Sequence, residues 1–144
     1  MPKQPKHPVV LTLRRTFCAS HRLYSEALSP EDNAAIFSKC AHPHGHGHNY
    51  VVHVSLRGEP DPTTGMIMNV SVVKELLENH VFCDFDHRHL NLDVPEFQAG
   101  LLPTVENIAI VIWNRLYPHL TPYLHAIKVE ETESISVLYY GPES

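Results

Sequence analysis

Lys39 to Tyr50 reads KCAHPHGHGHNY, one cysteine, four histidines and two glycines within a dozen residues. His46 and His48 stand two apart, so an extended Gly47 would project both imidazoles to the same side of the backbone. One strand can present two nitrogens to one metal ion in this way. Gly45 and Gly47 lack a Cβ, which permits unusual φ angles and a close approach of a ligand to the main chain. Imidazole is a preferred ligand of zinc, and no carboxylate crowds the segment. His42 and His44 continue the two-residue spacing and could equally supply a pair. Pro43 separates those two, whereas His46 and His48 run directly into the strand-like YVVHVSL, a firmer platform.

Working outward, Val9 to Phe17 alternates, with Val9, Leu11, Leu13 and Phe17 on one face and Val10, Thr12, Arg14 and Thr16 on the other. The strand continues through Cys18 to His21, which has the parity of the buried residues. A lone histidine there is ordinarily a satisfied core residue. A strand beginning near Asn49 and running to Arg57 could, if paired with the first, bring His21 beside His46 and His48. Three imidazoles leave one tetrahedral position open, the arrangement of a catalytic rather than a structural zinc site. His53 has the opposite parity to His46 and His48 and reads as a surface residue.

Ser29 before Pro30, Glu31 and Asp32 signals a short helix to about Ser38, delivering Cys40 to the histidine segment. Asn69 caps a second helix with Val72, Val73, Leu76, Leu77 and His80 or Val81 on one stripe. The stretch CDFDHRHLNLDVPEF reads as loop, too polar and broken for an element, and it sets Asp86 beside His87. Thr104 caps a third helix, with Glu106 in its first turn and Ile108, Ala109, Val111, Ile112 and Leu116 inward, predicted to stop at Pro118. Glutamate at that position ordinarily complements the helix dipole. Two strands close the chain, His125 to Glu131 and Ser134 to Tyr140. The expected fold class is α+β, a four-stranded antiparallel sheet with the two long helices on one face.

Bulk properties narrow the function. The 144 residues suit a single domain, 43% hydrophobic and 19% charged, with no apolar run of membrane-spanning length. The N-terminus lacks a signal-peptide core, so the expected location is cytoplasmic. Three cysteines, Cys18, Cys40 and Cys83, form no disulfide framework. A formal net charge of −5 disfavours nucleic acid as the main partner while leaving room for a local cationic pocket. Twelve histidines are the outlier.

The pieces FCASHRL, KCAHPHGHGHNY, DPTTGMIMN, FDHRHLN with DVPEF, PTVENIAIVIW and KVEET, in this order, resemble the 6-pyruvoyl-tetrahydropterin synthases across nearly the whole chain. The resemblance implies the tunnelling fold, in which sheets join into a barrel within a homohexamer, a dimer of trimers, with active sites at subunit boundaries. It implies zinc ligands at His21, His46 and His48, a catalytic Cys40 with Asp86 and His87, and a pterin-anchoring Glu131 with Thr104 and Glu106 lining the same pocket. His42 and His44 depart from the asparagine common in relatives, and Val105 stands where some have threonine.

The implied substrate is 7,8-dihydroneopterin triphosphate, and the implied reaction eliminates inorganic triphosphate and yields 6-pyruvoyl-tetrahydropterin, a step of tetrahydrobiopterin biosynthesis. No external redox cofactor is required. The 6-carboxytetrahydropterin synthases are a second resemblance, but their cysteine stands closer to the His-Gly-His motif, whereas here Ala41 to Gly45 intervene. A reading from another class is a zinc-stabilised binding module, in which Cys40 completes a closed Cys-His₃ site. Arg14, Arg15, Arg22 and Lys39 are candidates for the triphosphate.

Overall fold

A computed structural model describes residues 6–143. Its frame is a long antiparallel hairpin, β1 (Val9–His21) against β2 (His46–Gly58), in register from Val9 opposite Gly58 to His21 opposite His46. Strand β2 begins three residues ahead of the expected Asn49 and takes in His46, Gly47 and His48. Period-two alternation then sorts the hairpin. Phe17, Ala19, His21, Tyr50, Val52, Val54 and Leu56 are buried on one face, while Cys18, Asn49 and His53 belong to the other. Leu11 and Leu13 are only half-buried and Val9 is exposed, because the first strand begins beyond the main cover of the core.

The expected four-stranded antiparallel sheet is corrected to a five-stranded mixed one. Its order is β3-β1-β2-β4-β5, with β3 (Arg88–His89), β4 (Leu124–Glu130) and β5 (Ser136–Tyr139). The extra strand β3 runs parallel to β1, pairing Ala19 with Arg88 and Ser20 with His89. Two residues inside a polar stretch carry no alternation, so the sequence pattern was silent on it.

Helix α1 (Pro30–Phe37) starts at the expected cap, with Ser29 Oγ accepting from the Asp32 amide at 3.1 Å. Helix α2 (Val70–Leu77), capped by Asn69, buries Val73 and Leu77 but exposes Val72. A single π-turn, Glu78–Phe82, carries it into α3 (Cys83–Phe85). The wider turn shifts the phase of the stripe, which resumes on Val81, Phe82 and Phe85 rather than His80. The stretch read as loop is instead α3, β3, α4 (Leu90–Asp93) and α5 (Pro95–Gln98), each too short to show periodicity.

Helix α6 (Val105–Leu120) lays Val105, Ile108, Ala109, Ile112, Leu116 and Leu120 against β4 and β5. Each of the valine, isoleucine and leucine side chains among them contributes roughly 1.5–3 kcal/mol by burial. The helix passes through Pro118 to Leu120 instead of stopping before it. Burial of Leu120 in the core holds that last turn against the loss of a proline N–H.

Arg115 ties α6 to the polar stretch. Its guanidinium donates to both carboxylate oxygens of Asp84 at 2.6 and 2.9 Å, to those of Glu96 at 2.7 and 2.9 Å, and to the His80 carbonyl at 3.1 Å. Hydrogen bonding to Glu96 foremost, and to Asp84, raises the pKa of Arg115 against the opposing effect of burial and holds the guanidinium charged. Asp84 lies two residues before Asp86, so the clamp fixes the segment that presents Asp86 and His87.

Candidate metal centre and active site

The hairpin register delivers the histidines. His21 closes β1 opposite His46, and His48 lies two residues further along β2 on the same side. One ring nitrogen from each of the three lies within 4.8 Å of the others, and the Nε2 atoms of His21 and His46 are 3.1 Å apart. His42 and His44 are exposed and stand apart from this group, their rings 5.6 Å from each other. It is the glycine-bracketed pair that the fold gathers with His21.

The Pro103 carbonyl accepts from His21 Nδ1 at 2.7 Å, which commits the Nδ1 position to N–H and leaves the Nε2 lone pair facing the other two rings. His21 is fully buried. Burial foremost, against the pull of the Pro103 carbonyl and reinforced by His46, His48 and His89, pushes its pKa down to about 4. His46 is lowered too, by burial and then by His48 and Lys39. Both rings are therefore neutral at physiological pH, the form that binds a metal. Buried His46 Nδ1 and His48 Nε2 have no hydrogen-bond partner among the described residues. Three imidazoles whose ring nitrogens gather at the end of the hairpin, His21 buried and His46 and His48 half-buried, fit a tetrahedral metal ion with one position open.

Tyr50 forms the floor. Its ring stacks on Phe17 at 4.9 Å, and its hydroxyl sits 3.4 Å from His21 Nδ1. Burial, and secondarily the Glu131 carboxylate, push its phenol far above the usual range, so it stays neutral. Gly45 enters the site with φ +75, and a Cβ there would meet the His21 carbonyl oxygen at 2.8 Å and His89 Nε2 at 3.1 Å. Gly47 lies in ordinary extended backbone, and a Cβ there would meet only the Ala19 carbonyl oxygen, at 3.5 Å, so no unusual φ is needed at this position.

A cavity of about 600 Å³ opens beside the triad, lined by Cys40, Lys39, His46, His48, Glu131 and Ile135 among others. Cys40 rides on a 3₁₀ turn, Ser38–Ala41, and its carbonyl accepts from the Leu23 amide at 2.9 Å. The Arg22 guanidinium is used within the same corner, donating to the Ala41 carbonyl at 2.9 Å and lying over the Tyr24 ring. Of the basic candidates, Lys39 alone is among the residues lining this cavity. Glu131 Oε1 lies 3.6 Å from His48 Nε2.

Asp86 and His87 line a different cavity, of about 490 Å³, with Thr16, Cys18 and Asn49. Asp86 Oδ1 accepts from the Cys18 amide at 3.0 Å, and His87 Nδ1 lies 3.0 Å from the same oxygen. His87 is exposed and adopts φ +61. Thr104 caps α6, accepting from the Asn107 amide at 3.2 Å, and Glu106 is exposed in the first turn; neither is among the residues lining the Cys40 cavity. Pro103 and Tyr50 were missed by sequence reasoning. A residue that acts through its carbonyl carries no side-chain signal, and Tyr50 reads simply as core by parity.

The family model described as 6-pyruvoyl tetrahydropterin synthase matches residues 10–142. This chain belongs to that family. The 6-pyruvoyl tetrahydrobiopterin synthase of Homo sapiens is 46% identical over 129 residues, 89% of this chain and 88% of that protein. The Dictyostelium discoideum enzyme of the same name is 45% identical over 133 residues, 92% and 96% of the two chains. Among solved structures, the 6-pyruvoyl tetrahydropterin synthase of Caenorhabditis elegans superposes with a TM-score of 0.89 at 37% identity, covering 99% of this chain and all of that one. The mixed sheet and helices of this chain are therefore the fold of that structure.

Proposed function

We propose that this member of the 6-pyruvoyl tetrahydropterin synthase family converts 7,8-dihydroneopterin triphosphate to 6-pyruvoyl-tetrahydropterin and inorganic triphosphate, a step of tetrahydrobiopterin biosynthesis. The observation that carries the reading is the converging triad of His21, His46 and His48 beside a cavity walled by a thiol and a carboxylate. The three histidines would hold zinc. When bound, zinc supplies Lewis acidity toward the adjacent hydroxyls of the substrate side chain.

The chain's own residues do the rest. Cys40, on the cavity wall, is proposed to accept a side-chain proton and return it as hydrogen moves toward the ring. Asp86 Oδ1 lies beside His87 Nδ1, and the exposed imidazole is proposed to exchange a proton with the substrate from a second side. Glu131 accepts from the amide and amino groups of the pterin as a fork. Thr104 and Glu106 are proposed to border the ring, the Thr104 hydroxyl keeping capacity beyond its capping bond.

Cys18 alternates to the face of β1 opposite Phe17, Ala19 and His21, and the Asp86–His87 pair gathers around Cys18. Cys40 instead lines the cavity that holds His46 and His48. A third cavity, of about 440 Å³, is lined by His48 with Cys18 and His87, so it is the separation of Cys40 from His87 that supports an active site completed across a subunit boundary, in a homohexamer built as a dimer of trimers. The edge strand β5, with Leu138 exposed, also favours closure by a neighbour. Sedimentation should find no stable monomer at micromolar concentration.

Product analysis after incubation with dihydroneopterin triphosphate tests the function. A pyruvoyl product is expected. A carboxypterin product, or none from zinc-loaded protein, overturns the reading.

A further inference from the structure

The thiol of Cys18, the Asp86 carboxylate and the His87 imidazole each offer a ligand atom within 4.8 Å of the other two, apart from the histidine triad. These are three different donors, one soft, one borderline and one hard, the mixture that suits zinc and cobalt.

The group is preorganised. The His87 amide donates to the Cys18 carbonyl at 2.6 Å, and the Cys18 amide donates to Asp86 Oδ1 at 3.0 Å, so the two segments are stitched by both backbone and side chain. His87 takes the left-handed region at φ +61, an unfavourable backbone for a non-glycine residue that brings its ring back toward Asp86. A cavity of about 490 Å³ adjoins all three, so an ion can enter.

Metal–ligand bonds of about 2.0–2.3 Å imply ligand separations of roughly 3.3–3.7 Å in a tetrahedral site. From no more than 4.8 Å, each donor needs to shift by no more than about 1 Å, within reach of side-chain rotation.

We propose that Cys18, Asp86 and His87 form a second, lower-affinity site for a thiophilic divalent cation, whose occupation blocks turnover. This inference rests in its second half on the reading of Asp86 and His87 as proton-transfer groups. On binding, the Cys18 thiol gives its proton to solvent. His87 ligates through the nitrogen facing Asp86 and carries its proton on the other. One thiolate, one carboxylate and one neutral imidazole balance the dication, and the His87–Asp86 pair is no longer free to relay a proton. The fourth position stays with water.

The test adds cobalt(II) to the full-length protein already loaded with zinc. Zinc outranks cobalt in affinity for the same ligands, so the triad keeps its ion. One further cobalt per chain is expected, with a thiolate-to-cobalt charge-transfer band in the near ultraviolet. Cys18→Ser should abolish that band and weaken the extra binding by more than the roughly 10- to 100-fold that losing a mere supporting contact costs. Cys40→Ser and Cys83→Ser should keep it. Absence of the band, or its loss on Cys40→Ser with persistence in Cys18→Ser, overturns the site. Turnover gives the separate arm: cobalt should inhibit the parent and spare Cys18→Ser. A Cys18-dependent band with uninhibited turnover upholds the metal site and refutes the catalytic assignment of Asp86 and His87.

Discussion

His21 and Pro103 are joined by a 2.7 Å hydrogen bond from imidazole Nδ1 to a backbone carbonyl, so the loop before α6 sets the tautomer of a residue on the first strand. A metal bound at Nε2 therefore meets a ring already oriented, with its lone pair exposed to the other histidines. Alanine at His21, His46 or His48 should greatly reduce both zinc content and activity. His42→Ala and His44→Ala, on the exposed turn, should leave the strong site intact. Undiminished zinc in His46→Ala protein, by metal analysis, would remove the triad from the reading.

Cys40 lies on the cavity wall but outside the triad's cluster of ligand atoms. Cys40→Ala should keep zinc and substrate binding while single-turnover rates fall by roughly two to four orders of magnitude, the usual worth of a positioned acid–base group. Loss of zinc instead would favour the closed Cys-His₃ alternative.

Glu131 stands 3.6 Å from His48 and faces the same cavity. Glu131→Gln should weaken substrate binding by on the order of 1 to 3 kcal/mol with little change in zinc. Calorimetry with a dihydropterin ligand checks this, and equal affinity for both proteins would assign the ring to another residue.

Gly45 and Gly47 should separate cleanly. Gly45→Ala forces a left-handed alanine, costing about 1–2 kcal/mol before its clash with the His21 carbonyl, and should lower zinc affinity. Gly47→Ala meets only van der Waals contact and should bind zinc as the parent does. Equal affinities in the two variants would contradict the local backbone.

The Arg115 clamp gives a pH dependence. Hydrogen bonding from Arg115 holds the Glu96 carboxyl below its usual range, against a smaller effect of burial. Glu96 thus contributes stability that is complete above the ordinary carboxylate range and is lost as pH falls through its lowered folded value. Denaturant unfolding should lose less stability on acidification in Glu96→Gln than in the parent. Arg115→Met should cost on the order of 2 kcal/mol at neutral pH by stranding two carboxylates.

What was legible in the sequence was whatever period and caps encode. Alternation gave His21 its buried parity, the two-residue spacing paired His46 with His48, and Ser29, Asn69 and Thr104 cap the helices they were read to cap. The rest depended on tertiary context. A π-turn after Leu77 shifts a stripe without any residue signature, and Leu120 keeps a helix going past proline by burial. Strand β3 forms because Arg88 and His89 lie along β1, not because of their own pattern. Arg115 reaches Asp84 and Glu96 across 31 and 19 residues, a range at which spacing says nothing.

The opposite parities of Cys18 and His21 on one strand have a genetic consequence. If Cys40 of one subunit serves with His87 of another, two inactive proteins can repair each other. Co-refolding equal amounts of Cys40→Ala and His87→Ala chains should restore about a quarter of parental activity, because random assembly pairs an intact thiol with an intact imidazole at one boundary in four. Mixed without refolding, the preformed assemblies should stay dead, so the rescue would report the seam between chains rather than either chain alone.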